Sequence, residues 1–250
     1  MGEKSAIQWT ESSWNPWHGC IKVSPGCKYC YMYRDKEKYG QDPTKVVRSK
    51  GKFKDPLKWA DAKVIFTCSW SDWFIDKADA WRQEAWNIIK ATPWHTYQIL
   101  TKRPERVIDH LPADWGEGYP NVWLGVSVES QEQVERINIL HDIPAKVKFI
   151  SFEPLIGPIT DGFRGDVDWI ILGGESGNDV GKYRYRPCAV EWMTDIIDAF
   201  RFNPGFFECD TKIFVKQLGT YLSKAMKLKD RHGGDINEFP EQLKIREFPT

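Results

Sequence analysis

A chain of 250 residues is long enough to bury a substantial α/β core, and its 35 Lys and Arg against 35 Asp and Glu leave no formal net charge. Neutrality excludes a global attraction to nucleic acid or membrane, so any polyanion contact has to come from local patches. The apolar runs are short, Trp169 to Leu172 being typical, and the start M-G-E-K-S-A-I has no apolar segment; together these predict no membrane span and a cytoplasmic protein.

Short β-rich runs alternate with helical periodicity along the whole chain, read here as a single domain spanning 1–250. A strand is predicted over 7–9. It leads into a loop, W-H-G-C-I-K-V-S-P-G-C-K-Y-C-Y, that places Cys20, Cys27 and Cys30 in a C-x6-C-x2-C spacing. Three of the six cysteines thus fall within eleven residues, a pattern of metal binding in a reducing compartment rather than of disulfides. A closed zinc site needs four protein ligands, and an electron-carrying iron–sulfur cubane needs four thiolates. Three ligands leave one metal position open for chemistry. Zinc, with His18 or Cys68 as fourth ligand, is the rival reading. Gly19 and Gly26 permit tight turns around a bound group, and Pro25 stiffens the loop.

A helix over 31–39 follows, then a basic insertion at about 41–59 in which Phe53 and Trp59 interleave with six cations. It reads either as a solvated loop or as a phosphate-contacting arm. Strands are next expected over 63–68, 97–100, 122–128, 147–152, 168–172 and 212–215. Helices fall between them over 77–91, 104–110, 130–140 and 190–200. Ser130, with Gln133 three residues on, has the pattern of a capping box. Pro93 and Pro144 follow helix ends. A second basic stretch, 224–231, reads as a helix surface, and a polar tail from about 233 wraps or trails. The thirteen tryptophans read mainly as packing residues, those beside the chemistry excepted.

Strand–helix alternation implies parallel pairing, in an open doubly wound sheet or in a full or partial barrel. Either architecture puts its site at the carboxyl ends of the strands. The residues there are polar or charged at every predicted strand: 69–72, 101–103, 127–129, 151–153, 173–176 and 216–217. Cys68 ends one of them, as a reactive thiol or as a small buried hydrophobe. Cys188 and Cys209 read as buried and inert.

At the cysteine loop the chain resembles the radical S-adenosylmethionine (SAM) enzymes, whose signature C-x3-C-x-Φ-C ends in the aromatic–cysteine pair that Tyr29 and Cys30 provide here. The first gap is six residues instead of three. Further stretches, P-L-K-W, C-S-W-S-D-W-F, L-T-K-R-P-E-R, N-V-W-L-G-V-S-V-E, A-K-V-K-F-I-S-F-E-P-L-I-G-P-I and G-G-E-S-G, resemble an uncharacterised phage-associated family of radical-SAM-like proteins placed near the spore photoproduct lyases. The resemblance implies a partial (β/α)6-type TIM barrel. It implies a [4Fe–4S] cluster on Cys20, Cys27 and Cys30, with SAM on the fourth iron and an external one-electron donor. It further implies that the C-S-W-S-D segment beginning at Cys68, similar to a C-x-S-D segment of the spore photoproduct lyases, supplies a hydrogen-atom donor. Under that resemblance Tyr29, Lys102, Ser127, Glu129, Glu153, Gly173, Gly174 and Glu175 become candidates for holding the cofactor. Lys102 and Arg103 would face a carboxylate or phosphate. Ser127, Glu129 and Glu153 would face ribose hydroxyls or an amine, and the Gly-Gly-Glu turn an amino group or an anion. Asp72, Trp70 and Trp73 would line the pocket, and Arg184 and Arg186 suit a nucleotide or a surface strand. The expected substrate is a nucleic-acid base or nucleotide. A small molecule, a protein side chain, and a non-catalytic metal-binding adaptor are the alternatives.

Overall fold

The computed structural model describes residues 3–164, 167–202 and 210–249. The chain is mixed α/β. Seven strands follow one another in sheet order as in sequence: β1 (Ser12–Trp14), β4 (Val64–Thr67), β5 (Thr96–Thr101), β6 (Val122–Ser127), β7 (Val147–Leu155), β8 (Trp169–Gly174) and β9 (Lys212–Gln217). A two-stranded antiparallel ribbon joins β2 (Trp17–His18) to β3 (Val47–Arg48). Two compact units divide the chain. One comprises Met1–Val23, Tyr31–Val126 and Asp142–Val147, and the other Ser24–Cys30, Ser127–His141 and Lys148–Thr250.

In the first unit β1 pairs with β4, β4 with β5 and β5 with β6, all parallel. No strand forms over 7–9. The first strand is instead the polar Ser12–Trp14, buried at all three positions. The sequence hides this strand because its serines look solvent-facing. Burial is possible because Ser12 Oγ donates to Glu3 O at 2.8 Å, leaving no hydroxyl unsatisfied. Helix α1 (Tyr31–Lys38) follows the cysteine loop. Helix α2 (Asp79–Ala91) buries Arg82, Ala85, Trp86 and Ile89, the stripe expected of 3.6-residue periodicity. Thr92 ends it by donating from Oγ1 to Ile88 O at 2.8 Å. The helix expected over 104–110 is two 3₁₀ turns, Pro104–Arg106 and Ile108–His110. Here Arg106 and His110 both turn toward Asp79, at 2.9 and 3.3 Å.

Most of the tryptophans in this unit are packing residues. Trp73 sits 5.8 Å from Trp14, 5.1 Å from Trp17 and 5.0 Å from Trp86, ring centre to ring centre. In the basic insertion Phe53 and Trp59 are buried, while Lys45, Lys50, Lys54 and Lys58 are exposed. Trp14 Nε1 donates to Phe53 O at 3.1 Å, and His95 Nε2 lies 3.1 Å from Pro56 O. Arg48 stacks on Phe53 at 3.8 Å and pairs with Glu84 at 2.6 Å.

In the second unit β7 pairs with β8 and β8 with β9, both parallel. Strand β8 is buried at all six positions, as a strand covered on both faces must be. Helix α4 (Val190–Phe202) presents Met193, Ile196, Ile197 and Phe200 to this core. Ser130 precedes a 3₁₀ turn, and its Oγ donates to the Gln133 side chain at 2.7 Å rather than to the backbone. The helix proper is α3 (Glu135–His141). Helix α5 (Gly219–Ala225) follows β9. The tail wraps along β9: Val215 N donates to Ile245 O at 2.9 Å and Glu247 N to Ile213 O at 2.8 Å, which covers an otherwise open strand edge. Cys209 lies outside the described residues.

Candidate functional site

The carboxyl ends of the strands carry the expected polar groups, and the structure shows what each group does. In the first unit Cys20 is held from several sides. Gly19 N donates to Trp70 O at 2.9 Å, Cys20 N to Pro43 O at 2.9 Å, and Tyr33 Oη to Cys20 O at 2.5 Å. Gly19 has φ +100°, and a Cβ there would stand 2.2 Å from Lys45 O, so only glycine fits. Behind Cys20 lies a buried ion pair. Arg103 Nη1 is 3.1 Å from Asp72 Oδ2, and the same guanidinium donates to Ile21 O at 2.7 Å and reaches Cys20 Sγ at 3.9 Å. Burial opposes the Arg103 charge, but Asp72 and then Cys20 outweigh it, so the guanidinium is held protonated more firmly than usual.

Cys68 follows β4 with its backbone in the left-handed region, at φ 57°. A non-glycine residue there costs about 1–3 kcal/mol and marks a position that its surroundings over-determine. The side chain is buried. Burial first, then the Asp72 carboxylate, pushes the thiol well above its usual range, with Arg82 acting in the opposite sense. Cys68 is therefore a protonated thiol at neutral pH. Trp73 and Asp72 are buried. Trp70 does line a cavity of about 280 Å³, with Asn15, His18, Ser49 and Lys52 among its neighbours. Lys102 is fixed through its backbone, whose N–H donates to Asp72 Oδ2 at 2.9 Å.

In the second unit the segment Ser24–Cys30 is braced by two carboxylate–guanidinium pairs. Glu129 is wholly buried and accepts from Ser24 Oγ at 2.8 Å and from Arg136 Nη1 at 3.0 Å. Its carboxylate presses on Gly26, where a Cβ would come within 2.4 Å of it. Arg136 also donates to Ser127 O at 2.7 Å, tying that residue's backbone into the same pair. Glu175 accepts from Arg186 Nε at 2.8 Å and Nη2 at 2.5 Å, and Arg186 Nη1 donates to Pro25 O at 2.9 Å. The guanidinium lies 5.4 Å from the centre of the Tyr29 ring. Arg184 donates to Asp179 O at 2.9 Å.

The Gly-Gly-Glu segment belongs to the strand end rather than following it. Gly174 is required by close approach, since a Cβ would lie 2.2 Å from Leu218 O. Gly173 leaves room for Glu153, whose carboxylate would be 3.1 Å from a Cβ there. Glu153 pairs with Lys216 at 2.5 Å, both part-exposed. Lys216 was among the strand-end candidates, but Ser24 and Arg136 were invisible as site residues in the sequence. Each acts through a partner, Glu129, that lies 105 or 7 positions away, and no local pattern encodes such a pairing.

Cys20, Cys27, Cys30, Cys68 and Cys188 are all thiols, the first three half-exposed and the last two buried. Burial pushes Cys188 up to about 12, in keeping with an inert core residue. Among the described residues no three His, Cys, Asp or Glu side chains stand together as a site for a single metal ion. No helix among them is long and apolar enough to cross a membrane.

The fold defines a class. The chain is similar in structure to a cysteine-to-serine mutant of spore photoproduct lyase, with TM-score 0.53 and 13% identity over 86% of this chain and 78% of the other. It is similar to a tyrosine-to-phenylalanine mutant of the same enzyme, with TM-score 0.52 and 14% identity over 87% and 81%. At such identities the likeness shows the fold alone: mixed α/β with a parallel sheet of the partial-barrel class. No curated protein sequence matches significantly. Residues 4–240 match the family described as protein of unknown function DUF5131, and the chain belongs to it.

Proposed function

We propose that this chain is a radical SAM enzyme in which Cys20, Cys27 and Cys30 bind three irons of a [4Fe–4S] cluster and SAM completes the fourth. The observation that carries this reading is a C-x6-C-x2-C loop of three half-exposed thiols on a fold shared with spore photoproduct lyase. The donor set suits the group. A cubane takes each thiolate on a different iron, so the three sulfurs need not converge on one ion as zinc ligands must. When bound, the reduced cluster supplies the electron that cleaves SAM to a 5′-deoxyadenosyl radical.

The chain's own residues bind and orient. Gly19 and its partners fix Cys20, and Glu129 and Arg186 fix the Ser24–Cys30 segment. Glu153, paired to Lys216 and part-exposed, remains the best placed of the candidate carboxylates to meet an amine. Cys68 Sγ, buried and protonated, holds a hydrogen atom that a substrate-centred radical would take up. The proposed substrate is a nucleic-acid base or nucleotide. Phe53 and Trp59 are buried and cannot stack on a base, so the exposed Lys45 and Lys50 would make phosphate contacts only.

Iron and sulfide analysis with EPR of anaerobically reconstituted, reduced protein tests the reading. The expected result is about four irons and four sulfides, with a signal that SAM perturbs. One zinc and no sulfide would overturn it. For the substrate, binding of single-stranded DNA should weaken steeply with salt, and no binding even at low salt would exclude nucleic acid.

A further inference from the structure

The sequence places Arg103 as a partner for the cofactor carboxylate or a phosphate. The structure gives it a different task. Asp72 and Arg103 are 4% and 6% exposed, so this is a desolvated pair rather than a surface one. The Asp72 carboxylate is fully engaged. Oδ1 accepts from Thr101 Oγ1 at 2.7 Å and Phe74 N at 2.9 Å, while Oδ2 accepts from Lys102 N at 2.9 Å and faces Arg103 Nη1 at 3.1 Å. Arg103 N in turn donates to Thr101 Oγ1 at 2.9 Å. One end of the guanidinium is thereby fixed to the ends of β4 and β5. The same Nη1 reaches Cys20 Sγ at 3.9 Å and Nη2 donates to Ile21 O at 2.7 Å, so the group links those strand ends to the cysteine loop. Burying a cation is costly unless it is paired, and Asp72 supplies the pairing through the same nitrogen, Nη1, that faces the sulfur. The guanidinium thus meets a thiol and, through Nη2, the carbonyl next to it.

We propose that the buried Asp72–Arg103 pair is a positioning device for Cys20 that also sets the reduction potential of the group Cys20 binds. The redox half rests on the cluster reading above, and the positional half concerns the metal-free chain. A guanidinium within reach of a ligand sulfur draws electron density from it and favours the reduced cluster, as hydrogen bonds and charge around cluster sulfurs do. Lysine would keep the charge but lose the fork that grips a carboxylate and a carbonyl together.

The test compares wild type with Arg103→Gln, Arg103→Lys and Asp72→Asn. In the metal-free chain, hydrogen exchange of the amides in 19–23 should rise about tenfold in Arg103→Gln, with 25–30 unchanged. In reconstituted protein, an EPR-monitored redox titration should show the reduced fraction at a fixed potential about tenfold lower, equivalent to a midpoint 59 mV more negative for one electron. Arg103→Lys should recover the potential more fully than the exchange protection, and Asp72→Asn should loosen 19–23 as the glutamine variant does. Unchanged exchange together with an unchanged midpoint in Arg103→Gln overturns the proposal. Should that variant not fold, the lysine and asparagine variants are read by the same two criteria. A wild type that takes up no iron defeats the cluster reading, and the exchange result still decides the positional claim.

Discussion

The first unit holds its part of the cysteine loop with a guanidinium, whereas the second adds a carboxylate to the Arg186 guanidinium that meets Pro25 O. In the first a guanidinium meets the loop at Cys20 and Ile21, with the Asp72 carboxylate behind it. In the second a carboxylate meets the loop, Glu129 on Ser24 and Gly26, with the Arg136 guanidinium behind it. Asp72, Arg103 and Glu129 are buried, Arg136 is part-buried, and each is partnered, as a low-dielectric setting demands. The difference teaches that a charged residue at a strand end is not by itself a cofactor ligand. Its role depends on which side its counter-ion occupies.

The largest expected effect separates the thiols proposed as ligands from the buried Cys188. Cys27→Ser or Cys30→Ser should lose nearly all bound iron after reconstitution, and Cys188→Ser should retain it, read by iron and sulfide analysis. Next comes the brace of the second unit. Glu129→Ala strands Arg136 and should cost about 3–5 kcal/mol in urea unfolding of the metal-free chain. A cost below about 1 kcal/mol would break the comparison, because Glu129 would then not be holding the loop.

Alkaline pH should sharpen the contrast between buried and loop thiols. Cys188 has its folded-state pKa raised to about 12 by burial. In this state the folded chain keeps a proton that the unfolded chain releases above about pH 9. Its contribution is therefore complete below that pH and is lost as pH rises toward 12, amounting to about 4 kcal/mol. Cys68, shifted in the same direction, adds to the decline. Denaturation of Cys188→Ala at pH 8 and pH 11 should show a shallower alkaline fall than wild type.

Gly26→Ala pushes a Cβ into the Glu129 carboxylate and should cost about 1–3 kcal/mol, less in a Glu129→Ala background, a coupling that a double-mutant cycle reads directly. The smallest effect belongs to the insertion's surface. Lys58→Ala removes an exposed pair with Asp55 at 3.1 Å and should change stability by about 0–1 kcal/mol.

Much of the fold could be read from residue patterns. The apolar run Trp169 to Leu172 marked a central strand, and the spacing of Met193, Ile196, Ile197 and Phe200 marked a helix. Ser12–Trp14 was missed because burial of its serines depends on distant partners such as Glu3 O. The segment expected as a helix over 104–110 forms two 3₁₀ turns instead, from which Arg106 and His110 meet Asp79, a contact 27 and 31 positions away that its local pattern does not record.

The site divides along the same line. The sequence by itself determined the three-thiol loop, the glycines that let it turn, and the polar strand ends, since these depend on residue type and short spacing. Only the tertiary structure decided that Glu129 and Glu175 pair with Arg136 and Arg186, that Gly174 serves a backbone approach at Leu218, and that Arg103 reaches Cys20 Sγ. The physical reason is that a buried charge takes its meaning from a counter-ion, and the fold chooses that counter-ion across sequence separations that no local pattern records.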